Sequence, residues 1–266
     1  MDIRFPVPRI TEGFVDKIIE LMGGRRLTEE EKGFEKDENA DYLLPGTVAE
    51  LKILEEEGLE KQGRQDKVAE ALSNNFYLPD EVDIDIRRMP ESAKARYRNI
   101  IGTPIRKRVR KAAKQIKKTK ARLGRRNESG LLIAINNGFN SLPHDEFDNL
   151  LLSYCRYSTS QIDFILCTTV EYHQGGFDSY VFCSSNRYSI KDSIANPFKK
   201  DYIRLVGEEF NERMTYMIRN QVELMAANKD LLAPVSDIVF DRKGVRFIRR
   251  APEVPDSRFT KKNDNK

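Results

Sequence analysis

The chain is short of the residues on which most covalent catalysis and cross-linking depend. Its 266 residues include only two histidines, His144 and His173. A Ser-His-Asp or Cys-His mechanism would have to use one of them. The three cysteines, Cys155, Cys167 and Cys183, are an odd number at spacings of 12 and 16. That is neither a disulfide framework nor a CxxC metal pattern, and it points to a reducing, cytoplasmic setting. A zinc site from Cys167, His173 and Cys183 would have ligand spacings of 6 and 10, which match no usual pattern. No apolar run approaches the ~18 residues of a membrane span. The first residues, Met1 to Phe14, have no apolar core and no small-residue cleavage site, so a secretory signal is not expected. The GxxxxGK[ST] and GxGxxG patterns are absent, which leaves an NTPase or dinucleotide role without support.

What the chain does have is a segregated charge. The net charge is only +4, but Arg87 to Arg126 holds 17 Lys/Arg and one acid, Glu91. The remaining residues are net acidic. A basic block in an acidic protein attracts a polyanion and steers its approach. A helix face laced by i,i+4 ion pairs would need both signs, and this block has almost one only.

Hydrophobic spacing divides the rest. Ile10, Phe14, Ile18 and Leu21 fall at helical intervals, ended by Gly23-Gly24. An acidic connector runs from Thr28 to Asn39. Asp41 to Leu44 and Thr47 to Leu54 read as strands around a Pro45-Gly46 turn. Residues 55–75 read as a charged helix, and Phe76 to Arg87 as a strand or hairpin extension. In the basic block, Ile105, Val109, Ala112, Ile116 and Leu123 form one apolar stripe, with Pro104 in the first helical turn. Gly130 to Ile135 reads as a fully buried strand, and Pro143 to Cys155 as a helix. Gln161 to Val170 and Ser179 to Cys183 read as strands, and Asp201 to Asn228 as a long helix. Ser236 to Arg249 reads as a hairpin turning at Lys243-Gly244. No internal repeat is visible. The expectation is a single α/β domain over residues 1–257 and a disordered polar tail over 258–266.

The chemistry-bearing stretch is Asp41-Tyr-Leu-Leu-Pro-Gly-Thr-Val-Ala-Glu50-Leu-Lys52-Ile-Leu54. Strand side chains alternate between faces, so Glu50 and Lys52 project together while Ala49, Leu51 and Ile53 face the other way. Charges in an otherwise buried segment are costly unless paired or bound to a metal. The Pro-Gly turn would bring Asp41 alongside Glu50. Two carboxylates suit Mg²⁺, or Mn²⁺, which takes hard oxygen ligands and keeps several waters. A bound cation lowers the pKa of its water, and a nearby lysine stabilises charge in phosphodiester hydrolysis. A second acidic set, Asp83 and Asp85, is a rival site that reads more simply as a solvated strand face.

At these residues the chain resembles the PD-(D/E)xK nuclease superfamily. The resemblance implies a restriction-endonuclease-like αβββαβ core with a mixed sheet flanked by helices. It covers residues 10–136, with C-terminal helical and hairpin elaborations beyond. Asp41 matches the motif aspartate, Glu50 the acidic position and Lys52 the lysine. The proline before the motif aspartate is absent, since Ala40 stands there. A glutamate on the first helix aids metal binding in some members, which singles out Glu20, with Glu12 as a rival. Gln115 falls where some branches carry a glutamine near the site. The resemblance implies a Mg²⁺-dependent nuclease acting on DNA, with Asp41 and Glu50 holding the metal and with homodimers common in the family. The basic helix would hold the phosphate backbone through Arg106, Lys107, Arg110, Lys114, Lys117 and Lys118, contacts that give affinity without sequence information. The alternative is a non-catalytic nucleic-acid-binding or protein-interaction module whose ExK is degenerate.

Overall fold

The strand pattern of the chemistry-bearing stretch organises the fold. The computed structural model describes residues 7, 9–33, 39–55, 58–73, 80–138, 142–174, 179–190, 207–216, 218–220 and 237–250. The elements are α1 (Glu12–Leu21), β1 (Arg25–Arg26), α2 (Glu29–Lys32), β2 (Tyr42–Leu44), β3 (Thr47–Leu54), α3 (Gln62–Ser73), β4 (Glu81–Asp83), α4 (Glu91–Arg122), β5 (Ser129–Asn136), α5 (His144–Ser158), β6 (Phe164–Gln174), β7 (Ser179–Ser189), β8 (Ile238–Arg242) and β9 (Val245–Arg249). Residues 207–216 and 218–220 are also helical. The rest of the helix expected over Asp201 to Asn228, residues Phe76 to Pro79, and the tail over 258–266 lie outside the described residues.

Six strands form one mixed sheet in the order β1-β2-β3-β5-β6-β7. The β1–β2–β3 meander is antiparallel. β5 joins β3 in parallel, with Glu50 opposite Leu132 and Lys52 opposite Ala134. β6 continues in parallel and β7 closes the edge antiparallel. A parallel neighbour requires a crossover, and α4 supplies it.

The sheet is covered on both faces, which is why β5 is buried along its whole length. On one face α3, α4 and α5 pack over Val48, Leu132, Ala134, Ile165 and Cys167. On the other, α1 and the helical residues within 207–216 and 218–220 bury Ala49, Leu51, Leu131, Ile133 and Leu166. The alternation read from the sequence is therefore realised, with β3 sending its odd residues to α1 and its even residues to α4. The fold is α/β, a mixed sheet flanked by helices.

Three elements differ from the sequence reading. The basic helix begins at Glu91, so Pro104 lies inside it and not at its start. An internal proline forfeits a backbone hydrogen bond and costs ~3 kcal/mol. The apolar stripe extends upstream through Ala93, Tyr97 and Ile101, all buried, and that burial outweighs the penalty. Of the extension expected over 76–87, the described residues 80–87 hold one strand, the three residues of β4. Asp85 then caps a 3₁₀ turn over Ile86–Arg88, its side chain accepting the Arg87 N–H at 3.0 Å. The connector holds the short α2, closed by a Thr28/Glu31 capping box.

The C-terminal hairpin is where the sequence put it. β8 and β9 pair around Lys243 (φ 54°) and Gly244 (φ 75°), the two left-handed residues that a type I′ turn requires. With β4 they form a second, three-stranded sheet, β4-β9-β8. Among the described residues no helix is long and apolar enough to cross a membrane.

Candidate active site

The site grows from the tight β2–β3 hairpin. Gly46 takes φ 65°, a left-handed conformation open to glycine, and lets Tyr42 pair with Ala49. The ladder of paired residues stops at Tyr42. Asp41 extends it with its side chain, Oδ2 accepting the Leu51 N–H at 2.8 Å. That bond holds the Asp41 carboxyl close enough for its charge to act on Glu50.

Glu50 is fully buried, at 0% exposure. The Lys52 ammonium is in direct contact with Glu50 Oε1 and keeps only 11% side-chain exposure. Glu50 Oε2 is buried too, and no donor reaches it among the described residues. The three residues singled out from the strand pattern thus converge, with their heads on the α4 side of β3.

Their electrostatics follow from burial. Glu50 is pushed up to about 8, first by desolvation and then by the Asp41 charge, against the pull of Lys52. Asp41 is raised as well, chiefly by burial, with the Leu51 N–H, Lys52 and Arg26 opposing. Two close carboxyls with one ammonium leave a surplus negative charge in an apolar wall. A proton or a cation resolves it.

α4 places the strand that carries Asp41. Gln115 Nε2 donates to the Asn39 carbonyl at 2.8 Å, and Thr119 Oγ1 accepts the Ala40 N–H at 2.8 Å. Arg122 Nη1 donates to Asn39 Oδ1 at 2.5 Å. Gln115, buried in α4, therefore acts on the chain just ahead of Asp41. Thr119 was not legible as a site residue, because a single threonine on a basic helix carries no pattern.

The two α1 candidates separate. Glu20 is exposed and is not among the groups acting on Asp41 or Glu50. The Glu12 charge does reach Asp41. Glu12 also pairs with Arg26 at 3.2 Å, and Arg26 Nε donates to Asp16 at 2.9 Å.

The chain matches no protein-family model, no curated protein and no solved structure.

On α4, Arg106, Lys107, Arg110, Lys114 and Lys117 are exposed and Lys118 is half-buried. Lys120, on the inner face, instead pairs with Asp163 at 3.5 Å.

Other candidates have structural partners. Asp83 and Asp85 are engaged by Arg87, Arg88 and Arg250. His144 bonds Thr169 Oγ1 through Nδ1 at 2.9 Å and Asn186 Nδ2 through Nε2 at 3.0 Å. Cys155 and Cys167 are buried thiols. His173 and Cys183 have side chains outside the described residues.

The donor set can be tested for a divalent cation. Among the described residues no group of three or more His, Cys, Asp or Glu converges as a metal cluster. Mg²⁺ is held by one or two carboxylates, with waters and substrate oxygens completing the shell. Asp41 and Glu50, with Oε2 lacking a donor, fit that demand.

Proposed function

We propose that the chain is a divalent-cation-dependent nuclease of the PD-(D/E)xK type, hydrolysing phosphodiester bonds in nucleic acid, DNA by preference. The observation that carries this reading is the buried convergence of Asp41, Glu50 and Lys52, in which Glu50 Oε2 lacks a donor. With α2, α3 and β4 as insertions, the elements α1, β1, β2, β3, α4 and β5 follow in the order of the αβββαβ core that this class requires, and β5 runs parallel to β3, which supports the reading.

Asp41 and Glu50 would hold Mg²⁺ or Mn²⁺, which supplies an acidified water and offsets phosphate charge. The Leu51 N–H holds the Asp41 carboxyl in place. Lys52 keeps its ammonium in the site through Glu50 and offers positive charge to the phosphate oxygens as negative charge builds there. The apolar surroundings, with Leu132 and Ala134 opposite Glu50 and Lys52, limit water and strengthen each of these interactions. The exposed cations of α4 would hold the nucleic-acid backbone.

Cleavage of linear, circular and single-stranded DNA, with Mg²⁺, Mn²⁺ or EDTA, tests this reading. Metal-dependent cutting is expected in the wild type and not in Glu50→Ala or Lys52→Ala. A binding module without catalysis is the second reading, favoured by the closed Lys52–Glu50 contact, which ties up both charges. Salt-sensitive DNA binding with no cutting in any metal would establish it in place of the first.

A further inference from the structure

A second charged site lies at the far end of α4. A cavity of about 320 Å³ opens between β4, the 3₁₀ turn, β9 and the start of α5. Arg87, Arg88, Arg249 and Arg250 line it, against Asp83 and Asp85. The lining therefore carries two more positive charges than negative ones.

The arginines differ in how they are used. Arg87 commits its fork to Asp85, with Nε and Nη2 donating at 3.0 and 3.2 Å. Arg250 is held by Asp83 at 3.0 Å and Glu81 at 3.5 Å. Arg249 is 94% buried, since its exposure is 6%. Arg88 is the exception. Its nearest carboxylate oxygens, on Asp83 and Asp85, stand at 3.9 and 3.7 Å, and its guanidinium makes no hydrogen bond among the described residues. Its guanidinium, three-quarters exposed, presents five donors to the cavity mouth. Planar donor forks of this kind match phosphate oxygens in pairs.

The acids beside them explain why so many arginines can sit together. They hold the guanidinium groups in place without cancelling the charge. The walls add Ile84 and Ile248, apolar surface on which a sugar or base can rest. The volume is at the lower end for small-ligand sites, which suits one phosphorylated unit and not an extended strand.

The geometry points to a phosphate-monoester site in this cavity, with Arg88 as the principal donor, taking either a free nucleotide or the phosphorylated end of a strand. It is separate from the carboxylate site. Arg88 and Gln115 lie 27 positions apart, ~40 Å along a helical path at 1.5 Å per residue. The proposal does not depend on the cleavage reading.

Calorimetric titration of the full chain in EDTA tests it, with inorganic phosphate, adenosine 5′-monophosphate, and a short oligonucleotide carrying either a 5′-phosphate or a 5′-hydroxyl. Arg88→Gln and Arg250→Gln are exposed changes that leave the fold intact, and Arg156→Gln on the surface of α5 is the control. Saturable phosphate binding is expected, weakened about tenfold or more by Arg88→Gln and unchanged by Arg156→Gln. Tighter binding of the mononucleotide assigns the site to free nucleotides. Preference for the phosphorylated oligonucleotide, erased by Arg88→Gln, assigns it to strand ends. No saturable binding of any probe, or equal binding by wild type and Arg88→Gln, overturns the proposal whether or not the protein cuts DNA.

Discussion

The Leu51 N–H donates to Asp41 Oδ2 across the β2–β3 hairpin at 2.8 Å, so a side chain stands where the next backbone acceptor of β2 would be. Asp41 thereby has a structural task and, in the proposed function, a chemical one, and two substitutions separate them. Asparagine keeps an acceptor, so Asp41→Asn is expected to melt within a few degrees of the wild type yet lose metal-dependent cutting. Asp41→Ala orphans the Leu51 N–H and is expected to cost a further ~1–3 kcal/mol, read by denaturant titration.

Glu50 gives a pH dependence. Its folded pKa, about 8, lies above its ordinary value of 4.5. Between those values the folded protein holds a proton that the unfolded chain has released. Stability must therefore fall as pH rises through that window and level off above it. Glu50→Gln removes the ionisation and is expected to flatten the curve, making the variant more stable than the wild type at pH 8 while abolishing cleavage. Thermal melts from pH 5 to 9 check this, and a wild type whose stability is flat across the window would refute it.

A cation should act on the same deficit without any substrate. Mg²⁺ or Mn²⁺ at pH 8 is expected to raise the melting temperature of the wild type in a saturable way, following ligand linkage. Glu50→Gln and Asp41→Asn should show little or none of that rise. Melts with EDTA as reference measure it.

The α4 anchor should matter for position more than for binding. Thr119→Val leaves the buried Ala40 N–H without its acceptor, an expected cost of ~1–3 kcal/mol. It frees the segment ahead of Asp41, so kcat should fall with KM nearly unchanged. Equal KM and kcat in wild type and variant would remove Thr119 from this role.

The basic face should act additively and in proportion to salt. Each of Arg106, Arg110 and Lys117 changed to Gln is expected to lower DNA affinity at every sequence. Each cation so removed from the phosphate backbone should reduce the log–log salt slope by about 0.9. Fluorescence anisotropy at several salt concentrations provides the readout.

The site triad was legible because period-two alternation over Thr47–Leu54 leaves little choice of face, and a Pro-Gly turn leaves little choice of partner strand. Other features lay beyond such rules. β1 is two residues long, too short for a pattern, and forms because Gly24 packs against Ile19 and Leu44, where any Cβ would crowd them. Pro104 reads locally as a helix start, but a stripe that closes only in three dimensions carries the helix through it. Glu20 and Glu12 sit two turns apart on α1, and only the path of β1 decides which of them reaches Asp41. The arginine cavity joins segments around residues 83–88 and 248–250, so no local motif announces it.

Asn137 grips Ile10 at both backbone atoms, receiving its N–H at 3.1 Å and donating to its carbonyl at 3.0 Å. The loop so closed spans 127 residues. Synthesis therefore delivers α1 long before the strand that seats it, and the β2–β3 hairpin before the helix that covers it. During that interval Glu50 faces water and stays ionised, and the burial that raises its pKa is complete only as α4 and β5 arrive. Closure of this molecule is therefore non-local, and the buried surroundings of Glu50 are complete only when α4 and β5 are both in place.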